Sequence, residues 1–171
     1  MILGEIPRLL LRAGMVMSDL QGIAYGKGPG SFTGLRIACG VTQGLAYALD
    51  LPVKGIVTLE ALAEDCHLAC GAETIIACID ARMGEVYHGS YRREGGAWAE
   101  VSPPALYAPG EVPRIAGDGR GWTGCGSGFC AYAGKLAECF PALDEIRADL
   151  VPGARAVLTL AQPWFHAGRG D

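Results

Sequence analysis

Apolar and polar positions over the first seventy residues alternate between a helical and an extended pattern. Residues 3–13 repeat apolar side chains on one helical face, which predicts a helix that ends at Gly14. Short apolar runs at 21–25 and 53–57 predict two buried strands. Two longer periodic stretches, 35–49 and 58–69, predict helices, the second with Thr58 as its cap. The order helix–strand–helix–strand–helix indicates an α/β unit with a parallel sheet.

The pattern changes after about residue 72. A buried run at 74–79 ends at Asp80, residues 85–92 alternate, and a Gly95-Gly96 turn leads into a third extended run. These features predict a three-stranded antiparallel meander over 74–101. A proline-rich loop is predicted after the meander, through Pro113, followed by a glycine-rich stretch at 117–128. Two helices are predicted near 131–139 and 154–166. We therefore divide the chain into a first subdomain at 1–71 and a second at 72–171.

Composition narrows the class of protein. Half of the 171 residues are hydrophobic and 19% are charged, which is enough apolar surface to build a core and excludes wholesale disorder. The net charge is −4, and basic residues cluster nowhere beyond Arg92-Arg93. Proteins that grip nucleic acid unaided usually carry a basic stripe, so tight independent binding of RNA or DNA is not expected.

Location is predicted from what the sequence lacks. No apolar stretch approaches the ~20 residues that cross a bilayer, and the first thirteen residues carry Glu5, Arg8 and Arg12, unlike a signal peptide. Seven cysteines, an odd number, then favour reduced thiols and a cytoplasmic protein without membrane contact.

Candidate metal ligands are sparse. The closest approach to a zinc signature is Cys66-His67-x-x-Cys70, but no second pair completes four ligands, so buried hydrophobic cysteines are the preferred interpretation. His67, His88 and His166 stand alone and are predicted to be half-buried or surface side chains rather than ligands. No nucleophile–base set can be assembled, so no catalytic or metal residue is predicted.

A glycine-rich loop separates the first predicted strand from the second helix. It lacks the Gly-Lys-Ser/Thr ending of a P-loop, and its glycine spacing differs from G-x-G-x-x-G. Two interpretations stay open: a tight turn whose serine and threonine cap the helix, or a phosphate cradle at the helix N-terminus. The candidate residues of this loop are Gly28, Gly30, Ser31, Thr33, Gly34 and Arg36.

The helix after this loop has glycines at an unusual spacing. Gly40, Gly44 and Ala48 recur every fourth residue, and each helical glycine costs about 1 kcal/mol relative to alanine. Small residues in a row permit close approach of another helix. The neighbour is either a partner protein or the chain's own sheet, and the sequence leaves both open.

Three strings together resemble one family. GPGSFTGLR, LPVKGIVTLEALA and IDARMGEVYHGSY follow one another as in the TsaB family, also called YeaZ, and the likeness covers roughly residues 1–166. The resemblance implies the α/β fold of actin-like, sugar-kinase and Hsp70-type ATPases (ribonuclease H-like). It also implies a non-catalytic subunit that pairs with TsaD for threonylcarbamoyl transfer to the adenosine next to the anticodon (position 37) of ANN-decoding tRNAs.

The resemblance further implies partners and an interface. A TsaD-like catalytic subunit and a TsaE-like ATPase are expected, with tRNA bound only through the complex. ATP and metal are expected on the TsaD partner, and this chain is expected to bind no cofactor of its own. The first two helices of the family form the seam with TsaD or with a second TsaB. The matching residues here are Ile6, Leu9, Leu10, Ala13, Ile37, Gly40, Val41, Gly44, Leu45 and Ala48.

The chain departs from the family pattern in two respects. Nucleotide-binding members of the fold need a glycine two residues after the aspartate that opens the second subdomain, and Arg82 stands there after Asp80, which favours a turn role for Asp80. Three N-terminal strands of the first subdomain and a closing segment are also missing, so we expect a chain truncated at both ends. The alternative function is a peptidase-like or small-molecule kinase relative that uses the 28–34 loop for phosphate.

Overall fold

The computed structural model describes residues 2–116 and 119–168. Its elements follow in chain order, with a single 3₁₀ turn at Met17–Asp19 after the first helix. They are α1 (Ile2–Arg12), β1 (Ile23–Gly26), α2 (Phe32–Leu49), β2 (Val53–Ile56), α3 (Thr58–Cys70), β3 (Thr74–Arg82), β4 (Glu85–Glu94), β5 (Ala97–Tyr107), β6 (Thr123–Cys125), α4 (Gly128–Ala131), α5 (Ala133–Cys139), β7 (Glu145–Arg147) and α6 (Ala154–His166).

The strands form two sheets. β1 and β2 pair in parallel, with Ile23 opposite Val53. The larger sheet has the order β5-β4-β3-β6-β7, antiparallel from β5 to β3 and parallel from β3 to β7. The parallel pair and the meander therefore occupy separate sheets, with helices between and around them.

Helix α3 joins the two sheets because both of its faces are buried. One face packs Leu59 and Leu62 against Ile75 of β3. The other packs Ala61 into a cluster with Ile56 of β2 and Ala156 of α6. A helix that is apolar on two sides belongs in the interior, and α3 is the central element of this fold.

A buried carboxylate fastens α3 to the meander. Glu64 is 2% exposed, and its Oε2 accepts hydrogen bonds from Arg93 Nη1 at 2.9 Å and from Trp98 Nε1 at 2.8 Å. The Arg93 guanidinium also lies over the Trp98 ring, 5.3 Å from its centroid. A buried charge is tolerated when it is paired and hydrogen-bonded, and both partners are supplied here by β4 and β5.

Most predicted elements are confirmed. The helix predicted at 154–166 is α6, the meander consists of β3, β4 and β5, and the alternation of 85–92 places Val86 and His88 in the core. The parallel pair predicted at 21–25 and 53–57 is β1 with β2.

Two predictions about helix starts are wrong. Helix α2 begins at Phe32, three residues before the predicted start, because Ser31 is the N-cap and its Oγ accepts from the Gly34 amide at 3.4 Å. Thr58 does not cap α3: Val57 occupies the cap position without a side-chain bond. The Thr58 amide instead donates to the Gly28 carbonyl at 2.8 Å, which satisfies it from the loop.

The predicted proline-rich loop is wrong in its first part. Strand β5 continues to Tyr107 and includes Pro103 and Pro104. Proline donates no ladder hydrogen bond, and β5 is an edge strand whose pairing with β4 shifts register between Ser90 and His88, beside these prolines. The edge position and the irregularity together accommodate both.

Two short strands were not predicted. β6 lies inside the glycine-rich stretch 117–128, and β7 follows α5. Positions 117 and 118 of that stretch lie outside the described residues. Three-residue strands carry too little periodicity to be read from a sequence, and parallel pairing with β3 creates β6.

The division at residue 71 stays a prediction. Helix α6, assigned to the second subdomain, packs on β1, β2 and α3 through a small cluster that includes Ala156 and Ala161. Among the described residues, no helix combines the length and apolarity that a bilayer crossing requires.

Candidate functional site

The glycine loop between β1 and α2 is tied down by its own backbone. Gly28 is buried with φ +103°, and a Cβ there would lie 3.1 Å from Leu35 Cδ1. Only glycine fits a positive φ against such a close neighbour. The Gly28 carbonyl accepts from the Thr58 backbone amide, and the Lys27 backbone amide donates to the Ile56 carbonyl at 2.8 Å. The loop therefore sets the entry of α2 relative to α3.

The N-terminus of α2 opens onto a cleft. A cavity of about 710 Å³ separates it from the end of β3. The first turn of α2 contributes one wall, and the end of β3, with Tyr87 of β4 and Ser127, contributes the other. The lining residues are Gly30, Ser31, Phe32, Thr33, Ile79, Asp80, Ala81, Arg82, Tyr87 and Ser127.

Asp80, the acidic group in this cleft, is engaged in the turn that follows it. Its Oδ1 accepts from the Arg82 amide at 2.8 Å and from the Tyr132 hydroxyl at 2.9 Å. These bonds, the Arg82 amide first, lower the pKa of the Asp80 carboxyl. Its own amide donates to Ser127 Oγ at 3.1 Å. The predicted turn role of Asp80 fits these bonds.

The turn itself is unusual in its backbone. Arg82 and Met83 have φ values of +68° and +53°, and Gly84 follows at +83°. Non-glycine residues rarely adopt this region. Arg82 stands at the position where the resemblance leads us to expect glycine in nucleotide-binding members, and its amide donates to the Asp80 carboxylate.

The predicted seam on α2 is open. A Cβ built on Gly40 or on Gly44 would meet nothing within 4 Å, and both residues are exposed. Within the described residues, neither glycine packs against the chain's own sheet, and the buried residue of α2 is Thr42, on the opposite side of the helix. On the same helix, Ile37 is 52% exposed.

Helix α1 is likewise uncovered. It has no buried residue, and Leu9 is 60% exposed. The other predicted seam residues divide into exposed and half-buried sets. Ala13 and Ala48 are exposed, whereas Ile6, Leu10, Val41 and Leu45 are half-buried.

Histidine predictions hold for two of three residues. His67 is half-buried and His166 exposed, but His88 is fully buried, so the expectation of a surface or half-buried side chain is wrong for it. Its ring stacks on Phe140 at 6.1 Å and meets Tyr107 edge-on. Neither ring nitrogen has a hydrogen-bond partner within the described residues, and burial lowers the pKa of His88 to about 4.

The cysteines also differ from the prediction. Cys66, Cys78, Cys125 and Cys139 are buried and Cys39 is half-buried, but Cys70 and Cys130 are exposed. Both exposed thiols lie at helix ends, where periodicity says little about burial. Over residues 2–116 and 119–168, no group of three His, Cys, Asp or Glu side chains is placed to hold a metal ion.

Several contacts of the cleft were not predicted. Tyr132 reaches Asp80 across 52 positions of sequence, and no local spacing signals such a pair. Arg36 lies over the Phe32 ring, 3.8 Å from the centroid. This second contact has an i, i+4 spacing on α2, so a helical pairing rule was sufficient to find it.

A family model matches most of the chain. Residues 1–120 match the model described as TsaD: tRNA N6-adenosine threonylcarbamoyltransferase. Curated relatives extend the match. The tRNA threonylcarbamoyladenosine biosynthesis protein TsaB of Escherichia coli is 36% identical over 173 residues, covering 98% of this chain and 73% of that protein. The protein of the same name from Haemophilus influenzae is 44% identical, covering 94% of this chain and 70% of its own length.

Solved structures agree with the sequence matches. YeaZ from Pseudomonas aeruginosa superposes with a TM-score of 0.86 at 39% identity, covering 97% of this chain and 76% of that one. A Pseudomonas aeruginosa protein described as similar to peptidase YEAZ gives a TM-score of 0.87 at 38% identity, with 99% and 77% covered. The mixed α/β architecture is therefore shared along nearly the whole chain.

Proposed function

Since the chain belongs to the TsaB (YeaZ) family, we propose that it serves tRNA threonylcarbamoyladenosine biosynthesis as a non-catalytic subunit docking onto a TsaD-like enzyme. The observation that carries the docking role is the open face of α2. Two helical glycines there, Gly40 and Gly44, have open space where a side chain would be, since a Cβ on either would meet none of the described residues within 4 Å beyond the helix itself. Each glycine destabilises the helix by about 1 kcal/mol relative to alanine, and no contact within the described part of the chain offsets this loss. Close packing of a partner helix against the glycines would offset it.

Exposed apolar groups on both predicted seam helices also support docking. Ile37 on α2 and Leu9 on α1 are more than half exposed, and Ala48 continues the small-residue row. Apolar side chains beside a row of small residues match the buried core of a helix–helix interface. The same two helices also serve a homodimer in this proposal, in competition with the TsaD-like partner.

The cleft supports a role without chemistry of its own. The Asp80 Oδ1 atom accepts from the Arg82 amide and the Tyr132 hydroxyl, which gives this carboxylate a structural role in the turn. We therefore assign ATP and metal to the TsaD-like partner. The kinase-like or peptidase-like alternative needs a catalytic base and several metal ligands, and among the described residues that line the cleft Asp80 is the only carboxylate.

The proposed assembly also includes tRNA and a second protein partner. A net charge of −4 without a basic stripe disfavours tRNA binding by this chain alone, so tRNA is engaged through the complex. A TsaE-like ATPase completes the assembly in this proposal, and the complex works in the cytoplasm.

The test is a matched pair of glycine substitutions. Gly44→Leu adds a bulky side chain to the proposed seam and is expected to weaken binding of a TsaD-like protein by on the order of 2 kcal/mol, about thirtyfold in Kd. Gly134→Leu is the control, because Gly134 is an exposed helical glycine of α5 that also has open space around it. Leucine favours helix over glycine, so neither change is expected to unfold its helix.

Titration calorimetry or a quantitative pull-down with both variants gives the answer. The docking proposal requires that Gly44→Leu weaken binding while Gly134→Leu binds as the parent chain does. Equal Kd values for the parent and Gly44→Leu would remove this face as the interface. Equal losses for both variants would show a general effect of leucine and would also refute it.

A further inference from the structure

Three thiols lie together at the end of α3. The Sγ atoms of Cys66 and Cys70 are 3.9 Å apart, one helical turn from each other. Cys125, on β6, belongs to the same buried cluster as Cys66, and its thiol donates to the Leu62 carbonyl of α3 at 3.9 Å. This cluster lies on α3 and β6, outside the proposed docking helices α1 and α2.

The members of the cluster differ in access to solvent. Cys70 is exposed at the last position of the helix, whereas Cys66 and Cys125 are buried. Gly71 ends α3 in the left-handed conformation with φ +77°, directly beside Cys70. A small reagent therefore reaches Cys70 first, and Cys66 is the thiol positioned behind it.

We propose that Cys70 and Cys66 form a dithiol that a hydroperoxide oxidises to an intramolecular disulfide, with Cys70 as the thiol oxidised first. In the first step the Cys70 sulfur attacks the peroxide O–O bond and becomes a sulfenic acid, and the peroxide leaves as an alcohol, or as water from hydrogen peroxide. In the second step the Cys66 sulfur attacks the sulfenic sulfur and water leaves. Overall, two thiols lose two protons and two electrons, and the peroxide is reduced to an alcohol (or water) and one water.

The surroundings of Cys66 suit the second step. The neighbouring Cys125 and Cys70 thiols both lower the pKa of Cys66. The thiolate is the attacking form in disulfide chemistry, which suits Cys66 as the resolving group. Partial burial raises the pKa of Cys70, so its exposure, and not a larger thiolate fraction, makes it the first thiol oxidised.

Helix geometry predicts that the disulfide is easily reduced. Residues one turn apart in a helix have Cβ atoms about 5–6 Å apart, whereas a relaxed disulfide requires about 3.5–4.5 Å. Closing the bond must tighten the last turn of α3. Helix ends adjust more readily than interiors, and Gly71 follows at once, but the residual strain makes the bond reducible and the oxidation reversible.

The experiment oxidises the whole chain with hydrogen peroxide and maps the products by mass spectrometry. Cleavage after acidic residues at Asp65 and Glu73 releases a fragment that holds Cys66 and Cys70 and no other cysteine. The proposal requires this fragment to lose two hydrogens and to regain them with dithiothreitol. Three serine variants provide the comparison: Cys66→Ser, Cys70→Ser and Cys130→Ser.

Cys66→Ser must raise dimedone labelling of Cys70 at least several-fold, because the sulfenic acid then has no resolving thiol. Cys130→Ser removes the other exposed cysteine and is expected to change neither product. The proposal is overturned if Cys70 of the parent chain accumulates dimedone adduct to the level of Cys66→Ser. It is equally overturned if the cross-link joins Cys66 to Cys125 while Cys70 stays reduced, or if Cys70→Ser leaves the oxidation of Cys66 unchanged.

Discussion

Removing the buried carboxylate of Glu64 is expected to destabilise the chain strongly. Glu64→Leu leaves the Arg93 guanidinium, whose side chain is 20% exposed, and the Trp98 indole N–H without their shared acceptor. Breaking one partner of a buried ion pair costs about 3–5 kcal/mol. For a chain of this size, each 1 kcal/mol shifts Tm by about 2–4 °C, so the expected decrease in Tm is on the order of 10 °C.

The assay is urea and thermal unfolding followed by circular dichroism, with two further variants. Glu64→Gln keeps an acceptor oxygen and loses only the charge, so it is expected to cost about 1–2 kcal/mol. Glu64→Leu combined with Arg93→Met removes both charges and is expected to recover most of the loss, because a buried pair contributes little beyond an apolar replacement. A Glu64→Leu variant within 1 kcal/mol of the parent chain would show that the pair does not fasten α3 to the meander. A double variant no more stable than the single one would refute the reasoning about unpaired charge.

Three further predictions follow from groups described above. Burial lowers the pKa of His88 to about 4, so as the pH falls the unfolded chain binds a proton there before the folded chain does. The free energy of unfolding is therefore expected to fall by about 3 kcal/mol from pH 6.5 to pH 4. Unfolding titrations of His88→Phe are expected to show a weaker pH dependence. The isolated chain is expected to bind tRNA no more tightly than ~10⁻⁴ M at physiological salt, which a submicromolar polarisation titration would contradict. ATP is expected to give no saturable heat with the isolated chain, because a helix N-terminus contributes roughly 0.3–1 kcal/mol against the ~8 kcal/mol of micromolar affinity. Micromolar binding that Gly30→Val abolishes would establish the loop as a phosphate site instead.

Long periodic elements were predictable from the sequence. Helix α6 and the meander were located because their apolar positions repeat over ten residues or more, and burial of those positions decides the structure. The Gly40 and Gly44 spacing also indicated a close-packing face before any fold was known. Its exposure was not predictable, because periodicity identifies a helical face and not the molecule that covers it.

Elements created by distant neighbours were not predictable. β6 and β7 have three residues each; β6 exists because β3 offers an edge to pair with, and β7 exists because β6 does. The hydrogen bond from Tyr132 to Asp80 and the burial of His88 against Phe140 similarly depend on how α4 and α5 pack on the sheet. Sequence spacing carries no signal for contacts between residues so far apart in the chain. The glycine-loop motif therefore predicted the α2 side of the cleft but not the contact between Asp80 and Tyr132 on the other side.

The two ends of the larger sheet differ in sequence but have the same effect on association. At one end β5 carries Pro103 and Pro104, which lack the N–H groups that an added strand would need. At the other end β7 spans three residues, and both Glu145 and Arg147 are charged. Neither edge strand is a good template for pairing with a strand of another molecule. Crowding copies of this protein together is therefore expected to favour helix-mediated, saturable contacts over strand-by-strand fibre growth from this sheet.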